Sequence, residues 1–349
     1  MMYFFKIFWS VFVKIPHRLV HSILLLSIMS LYGQGGIDSR AIKRTGQSGW
    51  QFLKINGDPQ QAAMGGVYLV NHNANAVFGS PANLAGINNY NIQFNSLNWI
   101  ADIKYNSLSM AKRFGTLGTL ALSFVSLDYG NIPETIHEQG QGGATSPLVT
   151  GNYFTASDLA IGFSYAKIIT DRLSLGGSIR YISEKIAGTG MNNWAVDFST
   201  HYYTGLNSLR LSIIARNFGP DTHLVGYSEE LQSEPVDIRM PLEFRVGIAY
   251  DFFNNDENKN YLTTAIDGKV QSDGPEKINV GIEYVFQEKL FVRSGYRFNY
   301  DSEGFTFGLG LNYPLGNRQF SFNYSFLDFQ ALGQVQMISF GINFSGLND

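Results

Sequence analysis

Seven charged residues sit on the weaker, polar face of alternating segments: Arg180, Glu184, Arg245, Asp251, Glu283, Arg293 and Arg297. Mixed signs in such places line a selective passage, hold a polar ligand, or pair with one another and fill space. The filling role is the ordinary one, because a charge enclosed by apolar neighbours needs a partner. Covalent chemistry has little to work with. The chain lacks cysteine, which removes thiolate nucleophiles, disulfides and sulfur-bound metals. Its six histidines are scattered, with no Gly-x-Ser-x-Gly elbow and no His-Glu-x-x-His pair. Gly188-x-Gly190 lacks the rest of a nucleotide-binding fingerprint. The expectation is a protein that is not an enzyme and carries no cofactor or metal. A net charge of −3, from 25 basic and 28 acidic residues, gives no footprint for nucleic acid.

The elements that carry these charges alternate with period two. Phe244, Val246, Ile248, Tyr250 and Phe252 interleave with Arg245, Gly247, Ala249 and Asp251. Ile278, Val280, Ile282, Tyr284 and Phe286 interleave with Asn279, Gly281, Glu283 and Val285. Phe305–Tyr313 and Ile338–Phe344 repeat the pattern. Such alternation predicts strands between two unlike environments. About fourteen candidates run from 91–98 to 335–344, many near the roughly 9–11 residues that a tilted membrane-spanning strand needs. Charged residues are 15% of the chain, against roughly 25% in ordinary soluble domains, and aromatics are 14%. A mean hydropathy of −0.06 excludes a helical membrane protein. The weaker strand face is mostly Gly, Ser, Ala and Asn rather than the charges a soluble sandwich would show to water.

These features predict an all-β fold: a transmembrane antiparallel β-barrel of about 14 strands with an N-terminal plug segment. Aromatics near strand ends, among them Tyr203, Tyr250, Phe252 and Tyr300, are expected as girdles at the membrane boundary. Parity puts the seven charges on the face opposite the aromatics, hence in the lumen, because an Arg facing lipid at mid-depth costs roughly 2–4 kcal/mol. Their opposite signs suggest ion pairs across that lumen. Short links such as Thr170-Asp171, Gln287-Glu288 and Gly316-Asn317 read as tight turns, and 129–152 and 219–240 as long loops. Loops on a rigid scaffold usually carry recognition, so His137, Glu138, Tyr227, Glu229 and Glu230 are candidate partner-binding residues.

Three domains are expected: 1–33, 34–90 and 91–349. Residues 1–33 read as a secretory signal, with Lys6, Lys14 and Arg18 ahead of the apolar run 19–32. Residues 34–90 do not alternate and form the expected plug.

Within that segment stand Phe52-Leu53-Lys54-Ile55, then Ala62-Ala63-Met64-Gly65-Gly66, then Asn75-Ala76 and Pro81-Ala82-x-Leu84-Ala85. Further on come Ala195-x-Asp197, Asn217-Phe218-Gly219-Pro220, Arg245-x-Gly247-x-Ala249-Tyr250, Gly281-x-Glu283-Tyr284 and Arg293-x-Gly295-Tyr296-Arg297. In this order the motifs resemble the PorV/PorQ family of outer-membrane proteins of the type IX secretion system. That family's barrel is similar to the FadL fatty-acid transporters. The resemblance implies a non-enzymatic secretion component in the outer membrane of a Gram-negative, Bacteroidota-like bacterium. Its implied partners are membrane lipid, the secretion channel or attachment-complex proteins, and cargo C-terminal signal domains. The distant FadL likeness implies the alternative, passive transport of hydrophobic small molecules. Asn71, His72 and Asn73 depart from the family, where acidic residues are expected.

Overall fold

The computed structural model describes residue 46 and residues 48–139, 145–222, 237–255 and 259–344. The expected signal segment lies outside the described residues. So do Tyr227, Glu229 and Glu230.

Fourteen antiparallel strands close into one barrel. They are β1 (Tyr90–Asn98), β2 (Lys104–Arg113), β3 (Thr119–Gln139), β4 (Thr145–Thr170), β5 (Leu173–Ile186), β6 (Thr189–Tyr203) and β7 (Arg210–Phe218). Then come β8 (Glu243–Asn255), β9 (Asn260–Gln271), β10 (Lys277–Phe286), β11 (Leu290–Phe298), β12 (Phe305–Leu315), β13 (Arg318–Asp328) and β14 (Gln334–Phe344). Each strand pairs with its sequence neighbours, and β1 closes the ring on β14 from Tyr90↔Phe344 to Asn98↔Gln336. Closure leaves no unpaired strand edge, which is what lets a sheet cross a bilayer.

The alternation explains both faces. Along β14, Ile338 and Phe340 point outward while Met337 and Ser339 are buried inside. Phe340 is 53% exposed, Ile278 51% and Val246 50%, and similar side chains cover the whole outer wall. A soluble protein does not present so much apolar surface, whereas lipid covers it. Tight turns such as Thr170–Leu173, Phe286–Leu290 and Leu315–Arg318 gather at one rim. Longer links gather at the other.

One expected loop is a strand pair instead. Most of 129–152 continues the β3–β4 ladder, through Asn131↔Thr155 to Gln139↔Thr145. Register shifts at Asp128/Asn131 and Pro133/Thr135 interrupt the ladder, so strict alternation fails there and the stretch reads as irregular. His137 and Glu138 therefore sit on β3, opposite Pro147 and Ser146, rather than on a loop.

Residues 48–89 lie inside the ring as short helical pieces. A 3-10 turn spans Gln51–Lys54, helix α1 spans Pro59–Ala63, and further 3-10 turns span Ala74–Phe78 and Pro81–Gly86. Asp58 caps α1 by accepting from Gln60 N at 3.3 Å, with Pro59 in the first turn where its missing N–H costs nothing. Asn73 caps the next turn through Asn75 N at 2.8 Å. α1 packs on β11–β14, the Ala74–Phe78 turn on β1–β3, and the Pro81–Gly86 turn on β3–β6.

Candidate functional site: two cavities and the segment between them

The lumen is divided by the stretch from Met64 to Asn71. Gly65, Gly66 and Tyr68 line a cavity of about 310 Å³ toward the long-loop rim. Val70 and Asn71 line a second, of about 330 Å³, toward the tight-turn rim. Met64, Val67 and Leu69 pack with Ala249 and Ala265 of the wall.

Close packing demands glycine at this barrier. Gly65 has φ +73°, and a Cβ on it would meet the Val280 carbonyl oxygen at 2.7 Å. The facing wall residues are also glycines, Gly281 and Gly295, where a Cβ would run into Met64 and Gly65. The barrier's main-chain groups are met by the wall. Gly65 N–H donates to Thr306 Oγ1 at 3.0 Å. The Gly65 carbonyl accepts from Arg297 Nε at 3.2 Å and the Gly66 carbonyl from Arg245 Nη1 at 2.8 Å. Arg216 Nη1 donates to Tyr68 Oη at 3.2 Å, and the Arg245 guanidinium lies 4.0 Å above the Tyr68 ring.

Wall charges pair mainly along the wall rather than across it. Arg180 on β5 bonds Asp197 on β6 at 2.7 Å, and Arg210 on β7 grips Asp251 on β8 at 2.7 and 2.9 Å. Arg245 meets Glu243 at 2.9 Å and Asp267 at 3.2 Å, while Arg293 meets Glu283 at 2.5 Å. Arg297 pairs with Glu303, just beyond its own strand. Pairing across the lumen is the corrected expectation: the inner segment occupies the centre, so partners come from the same strand, an adjacent strand or the next link. Glu184 faces inward beside Asp158 and bonds the Trp50 main chain instead of an arginine.

The sequence reading missed the partners Asp197, Arg210, Arg216, Glu243, Asp267 and Lys269. All share the inward parity of the seven chosen charges, so the signal was present.

The plug-motif residues serve the inner segment's own structure. Phe52 and Leu53 are buried, Ile55 packs against the same cluster, and Lys54 bonds Asp273 at 2.5 Å. Asn75 donates to Asp58 at 3.2 Å and Asn95 at 2.8 Å, and accepts from Ser109 at 2.8 Å. Pro81 opens its turn, and Ala82 N–H donates to Ser199 Oγ at 2.7 Å. Asn71 donates its amide to the buried Asp58 carboxylate, which accounts for its being no acid: two carboxylates would repel there.

The two cavities differ in chemistry. The outer one has an apolar side made by Phe52, Ile55, Trp99, Ile103, Leu127 and Leu327, and a basic side with Lys54, Arg245, Lys269, Lys277 and Arg297. Tyr300, expected in a lipid girdle, lines this cavity instead. The inner cavity is polar, with Asn91, Gln93, Asn323 and Asn343 facing Arg210, Asp251, Glu283 and Arg293.

No family model matches the chain, and no curated protein matches it. Solved structures do. The toluene transporter TodX of Pseudomonas putida aligns with a TM-score of 0.55 at 12% identity, over 82% of this chain and 97% of that one. The toluene transporter TbuX of Ralstonia pickettii aligns with a TM-score of 0.54 at 15% identity, over 83% and 99%. The monoaromatic hydrocarbon channel CymD aligns with a TM-score of 0.51 at 13% identity, over 82% and 97%. At these identities the likeness is one of fold. The protein is thus a closed fourteen-stranded antiparallel barrel whose fold resembles outer-membrane proteins of Gram-negative bacteria. The PorV/PorQ resemblance finds no support in these comparisons.

Proposed function

We propose that the barrel is a passive channel for small molecules with a hydrophobic body, taken up from outside through the outer cavity. The observation that carries this is the apolar side of that cavity, Phe52, Ile55, Trp99, Ile103, Leu127 and Leu327, at the long-loop end of a polar lumen. About 310 Å³ falls at the small end of ligand-site volumes. Three barrels of like fold are described as carrying toluene or monoaromatic hydrocarbons. A molecule entering here has to pass the Met64–Asn71 barrier, which must shift to let it through. The test is uptake of labelled toluene by cells whose lipopolysaccharide-covered outer membrane slows apolar solutes, with and without the barrel. Faster uptake with the barrel is expected, and equal rates would sink the reading.

A second reading, the type IX secretion role, has its own support. The motifs run in family order, and the barrier between the cavities is tied shut by Arg245, Arg297 and Arg216. A barrel that conducts nothing would act by binding secretion-channel or attachment-complex proteins and cargo signal domains at its long-loop rim. Co-purification of exported proteins with the tagged barrel, lost on deleting 223–236, would establish this reading over transport. Its absence would remove it.

A further inference from the structure

At the level of the tight turns, one row of register partners crosses β13, β14, β1 and β2: Arg318↔Phe344, Phe344↔Tyr90 and Tyr90↔Lys112. Directly opposed residues share a face of the sheet. The exposed Phe322, Phe340, Phe94 and Leu108 have the same parity, which puts the row on the outside of the barrel. It therefore reads cation, aromatic, aromatic, cation along the outer wall. Toward the middle of the wall the next outward row is Phe320, Ile342, Ile92 and Met110, all apolar. The apolar belt thus ends at a line where two cations flank two rings.

The side chains gather around that line. The Tyr90 and Phe344 rings meet edge to face, 6.4 Å between centroids. Lys112 Nζ lies 4.5 Å from the Tyr90 centroid and 4.8 Å from that of Phe114. Arg318 Cζ lies 5.5 Å from the Phe344 centroid. Among the described residues, neither cation has a carboxylate partner or donates a side-chain hydrogen bond. Other cations at this rim do: Lys259 pairs with Glu288 at 2.9 Å, and Arg172 donates to the Thr204 carbonyl at 3.3 Å. Ring faces hold the two free cations in place and leave their N–H donors open. Donors so placed, where the hydrocarbon of a bilayer ends, meet lipid head groups. In outer-membrane barrels the short turns face the periplasm, and the leaflet on that side is phospholipid.

We propose that Arg318, Phe344, Tyr90 and Lys112 form a binding site for an anionic phospholipid of the leaflet at the tight-turn rim. Its phosphate accepts from Lys112 and Arg318, and an acyl chain runs along Ile342 and Ile92. The site spans the seam where β14 closes on β1, so the lipid bridges the last strand and the first. It lies on the outer wall, apart from both cavities, and is independent of what the lumen carries.

The test is native mass spectrometry of the full-length barrel in mild detergent at low salt, with dioleoyl phosphatidylglycerol, dioleoyl phosphatidylcholine or lipid A added. Phosphatidylglycerol is expected to be held about tenfold or more tighter than phosphatidylcholine, as two cations beside one head group imply. In the double variant Lys112→Gln, Arg318→Gln that preference disappears. Lys167→Gln, which removes a lone outward cation on β4 near the same rim, leaves it unchanged. Should the double variant not fold, Lys112→Gln alone and a salt series on the unaltered barrel serve instead, because a charge-driven preference shrinks as salt rises. Equal retention of the two phospholipids, or a preference that survives the substitutions or salt, overturns the site. So does a preference lost equally in Lys167→Gln, which would reflect overall charge. Tighter retention of lipid A than of phosphatidylglycerol places the site in the other leaflet and overturns the proposal.

Discussion

The inner wall of the barrel has two unlike arcs. From β5 to β11 the buried inward side chains include Arg180, Asp197, Arg210, Arg216, Glu243, Arg245, Asp267, Lys269, Glu283, Arg293 and Arg297. From β12 through β14 and β1 to β3 the buried polar side chains are all uncharged: Thr306, Asn323, Ser325, Ser339, Gln93, Asn95, Ser107 and Ser109 among them. The inner segment explains the difference. Against the neutral arc it presents α1 and the Ala74–Phe78 turn, whose main chain largely bonds to itself and its caps. Against the charged arc it presents the irregular Gly65–Tyr68 stretch, whose carbonyls need outside donors. Arginines reach out and supply them. Burying a guanidinium then requires carboxylates beside it, and the ion-pair chain follows.

The largest effect should come from breaking the charged arc. Arg245→Met leaves Glu243 and Asp267 short of a partner and the Gly66 carbonyl without its donor. A loss of about 3–5 kcal/mol is expected, read as the denaturant midpoint in detergent. A loss below 1 kcal/mol would mean the arc does not hold the barrier. Gly65→Ala strikes the barrier from its own side, with a left-handed φ and a clash on Val280. A cost of about 1–3 kcal/mol is expected, together with faster proteolysis of the inner segment. On the neutral arc, Ser107→Ala removes one hydrogen bond from Asn95, 2.9 Å in length. About 1 kcal/mol is expected, and an effect as large as that of Arg245→Met would erase the contrast between the arcs.

The smallest effect concerns acid. Burial alone would raise the pKa of Asp273, but hydrogen bonds from Lys54, Ser48 and Gln51 outweigh it and hold the carboxyl below its ordinary 3.8. A depressed carboxylate stabilises fully above its ordinary value and loses that contribution as pH falls through its lower folded value. The protection factors of the amides of residues 51–54, taken relative to intrinsic exchange at each pH, should therefore be flat from neutral pH to about pH 5 and fall only well below pH 4. Asp273→Asn should abolish that acid-dependent step.

The strands were legible because each meets lipid on one side and a polar lumen on the other, and Phe, Ile and Tyr mark the lipid side at every second position. The β3–β4 extension was not, because its bulges break the period around Asp128 and Pro133. The charges were legible as inward-facing, but not their partners. Parity gives a side, whereas pairing Arg180 with Asp197 depends on strand register, which tertiary packing sets. The inner segment had motifs but no period. Turns of four to six residues carry none, so its path and the two cavities it separates came only with the structure.

The central claim is that a molecule crosses the lumen by moving the Met64–Asn71 barrier. The natural absence of cysteine makes a direct test possible. A Cβ at Gly281 would fall 2.8 Å from the Met64 Cβ, closer than the roughly 3.5–4.5 Å of a disulfide, so the pair Met64→Cys, Gly281→Cys requires the barrier to back away from the wall by about 1 Å. Behind a lipopolysaccharide-covered outer membrane, cells carrying the oxidised double variant should take up labelled toluene no faster than cells without the barrel, and reduction should speed uptake. Undiminished entry with the disulfide intact would contradict the account.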